Sequence, residues 1–190
     1  MTDVFAVLGQ DHFDVEAMLA ELEEGPTGDT GASENQLALR KKMAETLIIE
    51  ESKHEALEEM YFWPAVREYL SGGDMLADEA TGQEQEAKHV LAELDKLDAS
   101  DSQFEERLGT FIKAAREHID FEETQVWPTL RSALSADAAE ELGTKIAEGK
   151  RTAPTRPHPH TPPSPGMLKT AGPAVAAADK ARDAATGRGD

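Results

Sequence analysis

One undecapeptide pattern occurs twice in the chain and constrains it more than any other feature. His54-Glu55-Ala56-Leu57-Glu58-Glu59-Met60-Tyr61-Phe62-Trp63-Pro64 and His118-Ile119-Asp120-Phe121-Glu122-Glu123-Thr124-Gln125-Val126-Trp127-Pro128 both read H-x-x-x-E-E-x-x-x-W-P. On an α-helix, residues four apart differ by about 40° in direction and about 6 Å in height, so each histidine and its following glutamate share a face. A fold that accepts this sequence must therefore place two equivalent helices side by side, each presenting an imidazole and a carboxylate to a common interior.

The rest of the first 150 residues reads as helix at three- and four-residue apolar spacing. A first helix is predicted from about Asp3 to Glu24, with Leu8, His12, Val15, Leu19 and Leu22 on one face and Gly25-Pro26 as its stop. A second starts near Glu34, bends or stops at Pro64 and is closed by Gly72-Gly73. A third spans about Leu76 to Leu97, and a fourth runs from about Gln103 to Leu134 with an interruption at Pro128. Ser135 and Gly149 bracket a short fifth. Four long helices joined by short loops predict an all-α, up-down-up-down four-helix bundle over residues 1–149.

Composition changes sharply after that. Residues 151–190 hold seven of the ten prolines, no aromatic residue, and six basic against three acidic side chains. Such a segment offers little apolar surface to offset its ordering entropy, so residues 150–190 are expected to form a flexible, largely disordered Pro/Ala-rich tail, with one short helix at most around residues 174–185. The whole chain carries 38 acidic and 19 basic residues, a formal charge of −19, which disfavours nucleic acid and anionic membrane surfaces. There is no cysteine, so any metal must be held by His, Asp and Glu. No apolar run is long enough to span a bilayer and the N-terminus lacks signal-peptide character, which predicts a cytoplasmic location.

Helices one and three each add one histidine, His12 and His89, at a height comparable to the repeats. Burying four imidazoles and two carboxylates without a cation costs several kcal/mol per unpaired charge, so the pattern predicts a metal site built from His12, His54, Glu58, His89, His118 and Glu122. Glu16 and Glu93, four after His12 and His89, are read as supporting or solvated acids. Glu59 and Glu123 are expected to turn away by about 100° toward water or a neighbouring helix. The two Trp-Pro pairs are read as structural, closing the ends of the core.

The order His12, His54-x-x-x-Glu58, His89, His118-x-x-x-Glu122 resembles the hemerythrin-like family of HHE cation-binding domains. That resemblance implies a pair of non-haem iron ions, bridged by Glu58, Glu122 and a shared oxygen, with the four histidines terminal. The sequence departs from the oxygen-carrying members, because Gln85 stands four before His89 and the last carboxylate, Glu122, lies four after His118. Counting ligands then leaves one open position on each metal, with Gln85, Glu86 or Tyr61 as the groups that would fill one. Adjacent open positions suit a small oxidant, hydrogen peroxide above dioxygen or nitric oxide, and imply peroxide breakdown of a catalase-like kind or a redox response. The competing expectations are a non-enzymatic oxygen or nitric oxide sensor, an iron-buffering module, and a helical interaction domain with structural zinc.

Overall fold

A computed structural model describes residues 3–161 and 165–188. Among these the chain is all-helical and has no strand. The first helix, α1 (Val4–Glu24), is capped by Asp3, whose carboxylate accepts the Ala6 amide at 2.8 Å. Helix α2 (Glu34–Leu57) begins at a reciprocal capping box between Ser33 and Gln36. A π-helical turn over Glu58–Phe62 links it to α3 (Trp63–Tyr69). Helix α4 (Gly73–Leu94) follows a tight reversal in which Gly72 takes a left-handed φ of 84° and a Cβ on Gly73 would fall 2.1 Å from the Val66 carbonyl oxygen. Helix α5 (Phe104–Phe121) passes through a second π turn, Glu122–Val126, into α6 (Trp127–Ala133). Ser135 caps α7 (Ala136–Gly149), as its sequence predicts.

The two π turns are the structural content of the Trp-Pro repeat. Pro64 and Pro128 have no amide hydrogen, and in an α register each ring would clash with the carbonyl four residues back. The backbone answers by widening one turn: the Trp63 amide donates to Glu58 O and the Trp127 amide to Glu122 O, five residues back in each case. The helix therefore continues past the proline with its phase reset. Each reset begins at the repeat's first glutamate.

Helix contacts run from α1 to α2, α2 to α4, α4 to α5 and α5 to α1, and α7 lies along α1. The apolar interior is split in two. One cluster gathers Val4, Phe5, Leu8, Leu57, Phe62, Trp63 and Leu130; the other gathers Val15, Leu19, Leu47, Ile48, Leu91, Leu94, Phe104 and Phe111. In sequence, His12 falls between Leu8 and Val15, His54 between Ile48 and Leu57, and His118 between Ala115 and Phe121. The polar residues thus form a layer between two dry cores.

The tail departs from its predicted disorder. Pro165–Thr186 forms a helix, α8, longer than the short one its composition suggests, with Pro173 inside it. Residues 162–164 and 189–190, which the disorder expectation also covers, lie outside the described residues. Ala153, Thr155, Ala176, Asp179, Asp183 and Arg188 are buried. An ionic clasp holds them: Arg156 pairs with Asp183 at 2.7 Å and with Asp95, the C-cap of α4, at 3.2 Å, while Arg188 pairs with Asp95 at 2.9 Å. Composition counts large apolar side chains, and charge pairing over small alanines escapes that count.

Burial raises the Asp183 carboxyl, but the Thr155 and Arg188 hydrogen bonds and the Arg156 and Arg188 charges outweigh it and hold the group below its ordinary value. A depressed carboxylate stabilises at pH above its unfolded value and loses that contribution as pH falls through the folded one. The contribution of Asp183 to the docking of α8 should therefore stay constant from pH 7 to 5 and weaken only below about pH 4. Asp183→Ala should release the tail at neutral pH, read as at least tenfold faster tryptic cleavage after Arg151 and Lys180 with the remaining helices still protected. Unchanged cleavage would mean that the clasp does not hold α8.

Candidate metal centre

His12 of α1 and His54 of α2 meet edge to face, with ring centroids 5.1 Å apart. His12 Nε2 lies 3.2 Å from Glu122 Oε2, and His54 Nε2 lies 3.3 Å from Glu58 Oε2. These four residues bring one ligand atom each to within 4.8 Å of one another. Glu58, Glu84 and His118 satisfy the same criterion as a second group that shares Glu58 with the first. Glu122 also spans both, since its other oxygen, Oε1, stands 3.5 Å from His118 Nε2. His118 Nε2 is 4.0 Å from Glu58 Oε2 and 3.9 Å from Glu84 Oε1. Two adjoining pockets of donors result, with two carboxylates between them.

Each imidazole turns Nε2 inward and has an oxygen behind Nδ1. Glu123 Oε1 is 2.9 Å from His12 Nδ1, Gln83 Oε1 is 2.9 Å from His118 Nδ1, and Asp11 Oδ2 is 3.6 Å from His54 Nδ1. At His12 and His118 the hydrogen-bonded oxygen fixes Nδ1 as the protonated nitrogen and leaves Nε2 as a lone-pair donor, the arrangement of metal-bound histidine, whereas His54 Nδ1 has no hydrogen-bond partner. Asp11 is anchored in turn by Lys150. The tryptophans of the repeat also touch the layer: the Trp63 indole N–H donates to Glu84, and Trp127 stacks on His12 with ring centroids 5.0 Å apart.

The inward atoms have no hydrogen-bond partners. His12 Nε2, His118 Nε2, both oxygens of Glu58, both of Glu122 and Oε2 of Glu84 are all buried and unsatisfied. Unpaired buried polar atoms each cost about 1–3 kcal/mol, so seven at one place demand a common partner. The charges demand the same. Burial, reinforced by Glu122 and Glu84, pushes the Glu58 carboxyl well above the ordinary carboxylate range, and burial pushes Glu84 well up against the pull of Lys88. Burial draws His118 below its usual value; it opposes Glu122 too, but the neighbouring His118 and His12 bring that carboxyl down. A cation satisfies every one of these groups at once, and the donor set of imidazole nitrogen and carboxylate oxygen fits a transition metal.

Residues 3–130 match the hemerythrin HHE cation binding domain family. The chain belongs to that family. It is 29% identical over 133 residues to an uncharacterized hemerythrin-like protein of Schizosaccharomyces pombe, an alignment that covers 70% of this chain and 66% of that relative, just under two thirds of its length. It also resembles the crystal structure of a hemerythrin HHE cation binding domain-containing protein from Mycobacterium kansasii, with a TM-score of 0.65 over 94% of this chain and 99% of the other. At 22% identity that likeness concerns the fold.

Within this hemerythrin domain, five of the six residues expected from the sequence converge: His12, His54, Glu58, His118 and Glu122. His89 does not. It is exposed on α4, and its ring faces His160 of the tail at 5.8 Å. Glu84, five residues earlier on the same helix, occupies the interior instead. None of the three groups considered for the open position reaches the centre. Gln85 donates to the Pro159 carbonyl, Glu86 is exposed, and the Tyr61 ring lies under the Lys169 ammonium at 5.2 Å. Glu16 and Glu93 pair with Arg116 and Arg107. Glu59 is buried against Lys88 of the neighbouring helix, whereas Glu123, expected to face away, holds His12. Its side chain is half exposed, and the π turn starting one residue earlier sets its direction in place of the α-helical 100° step.

Proposed function

We propose that this protein is a dinuclear non-haem iron protein of the cytoplasm that consumes a small oxidant, hydrogen peroxide first, within an up-down-up-down four-helix bundle. The observation that carries the reading is the pair of donor groups joined by Glu58 and Glu122. His12 and His54 would hold one metal and His118 and Glu84 the other, with Glu58 and Glu122 available to both. Three imidazoles, one terminal carboxylate and two shared carboxylates fill about eight of the twelve positions of two six-coordinate ions. The remaining positions would be open to a small ligand such as peroxide. Three carboxylates beside three imidazoles, with positions left for six-coordinate ions, match the nitrogen and oxygen donors that suit non-haem iron.

Iron bound there would supply electrons and Lewis acidity. The chain supplies geometry and exclusion of water. Glu123 and Gln83 keep Nε2 of His12 and His118 aimed inward, Trp63 restrains Glu84 through its indole N–H, and Trp127 covers the His12 ring. The apolar clusters above and below keep bulk water from the layer.

Protein produced in iron-replete cells without a histidine tag should carry about two iron atoms per chain, absorb in the visible, and release dioxygen from peroxide. Stoichiometric zinc with no iron after anaerobic reconstitution would overturn the di-iron reading. Two irons without peroxide turnover would overturn the enzymatic part and favour a sensor or an iron buffer.

A further inference from the structure

A cavity of about 170 Å³ lies between α2, α4 and the tail, outside the candidate metal centre. Its walls are largely apolar and come from two sources. Glu55, Ala56, Glu59 and Lys88 form the inner side; Pro157, Gly172 and Val175 belong to the strap and helix that cover it. A second observation marks the same void. Gly172 is buried, yet a Cβ built on it meets no atom within 4 Å. Buried glycines in packed interiors normally have close neighbours.

One wall group stands out. Glu55 is 2% exposed, and its Oε2 is buried without a hydrogen-bond partner. The one cation at hand does not serve it, because Lys88 donates to Glu59 instead. The other charged wall residue of the strap, Arg156, is taken by Asp183 and Asp95. A buried oxygen left this way calls for a donor from outside the chain.

We propose that this cavity is a binding site for a small neutral molecule with an apolar body and a hydroxyl group that donates to Glu55, a phenol being the simplest case. The size fits, since a cavity of about 150 Å³ holds one benzene ring. The charge of the wall narrows the class. An anion would meet Glu55 and Glu59, and an ammonium would meet Lys88 and Arg156, so neither gains. A neutral donor satisfies Glu55 while its body fills the apolar space. The site does not depend on the metal reading, because none of its wall residues ligates the centre.

Phenol titrated into the full-length, metal-loaded chain should bind one to one, with NMR shifts confined to the methyl groups of Ala56, Ala171 and Val175. Benzene should bind at least tenfold more weakly for want of a donor, and benzoate and benzylammonium more weakly still. Glu55→Leu replaces an unpartnered buried carboxylate by an apolar group of similar size, so the fold should tolerate it. That variant should bring phenol down to the level of benzene. Gly172→Leu should abolish binding of both by filling the void. Because Pro173 crowds the residue before it, Val175→Phe provides a second filler on the other side of the cavity. Equal binding of phenol and benzene to the parent chain would overturn the proposal. So would an unchanged ratio in Glu55→Leu, or binding that survives both fillers.

Discussion

Replacing Glu58 by glutamine should strip the metal from the protein and, in the same variant, make the metal-free protein more stable. The two effects have one cause. Glu58, Glu84 and Glu122 are at most 1% exposed, and five of their six carboxylate oxygens lack a hydrogen-bond partner. Without a cation, those groups are held in a dry layer where burial, reinforced by neighbouring carboxylates, drives Glu58 and Glu84 toward the neutral acid. An amide of nearly the same shape is neutral without having to take up a proton, which spares the metal-free chain about 1–2 kcal/mol, or a rise of about 2–8 °C in its melting temperature. With metal, the sign reverses. Glu58 belongs to both donor groups, so its loss should take the metal content below one atom per chain and abolish the stabilisation that metal binding adds. Glu59→Gln is the contrasting control: it leaves the donors intact but deprives buried Lys88 of its partner, so it should cost about 3–5 kcal/mol at unchanged metal content. A metal-free Glu58→Gln protein that melts below its parent, or one that still binds two metals, would show that Glu58 does not link the two groups.

What was legible in the sequence was whatever a single helix encodes by itself. His54 with Glu58, and His118 with Glu122, are i,i+4 pairs, and their separation of one turn fixes a shared face before any tertiary contact forms. His12 stands in an apolar stripe with Leu8, Val15 and Leu19, and the stripe alone turns it inward. Contacts between distant segments were not legible. Glu123 reaches His12 across 111 residues of sequence and Gln83 reaches His118 across 35, and no local periodicity records either. The π turns were half legible. Pro64 and Pro128 announce a break in the α register, but whether the backbone stops, bends or widens depends on what must follow. Here the Trp63 and Trp127 side chains both have to reach the polar layer, and a widened turn delivers them. The order of the tail was not legible, because it comes from Arg156 and Arg188 meeting Asp95, a residue on another helix.

Glu84→Ala should remove one metal of the pair, and His89→Ala should remove none, the reverse of what histidine counting on the third long helix suggests. The buried stripe of α4 runs Ala77, Ala80, Glu84, Ala87, Leu91, Leu94, at alternating steps of three and four. Glu84 is a member of that stripe. His89 lies two residues beyond Ala87, about 200° around the helix, and so faces out. The chemical type of His89 is right for a ligand, but its position is wrong, and position decides. Loss of Glu84 leaves His12, His54, Glu58 and Glu122 together, so one metal should stay while the site that His118 faces empties. The Trp63 indole loses its acceptor in the same variant, which gives a second readout through its fluorescence that does not require metal. Gln85→His, four residues before His89, should be equally silent in metal content, because Gln85 points to the Pro159 carbonyl. Should His89→Ala or Gln85→His change the metal stoichiometry while Glu84→Ala does not, the register of α4 assigned here would be wrong by about a third of a turn, and the second donor group would have to be rebuilt around His89.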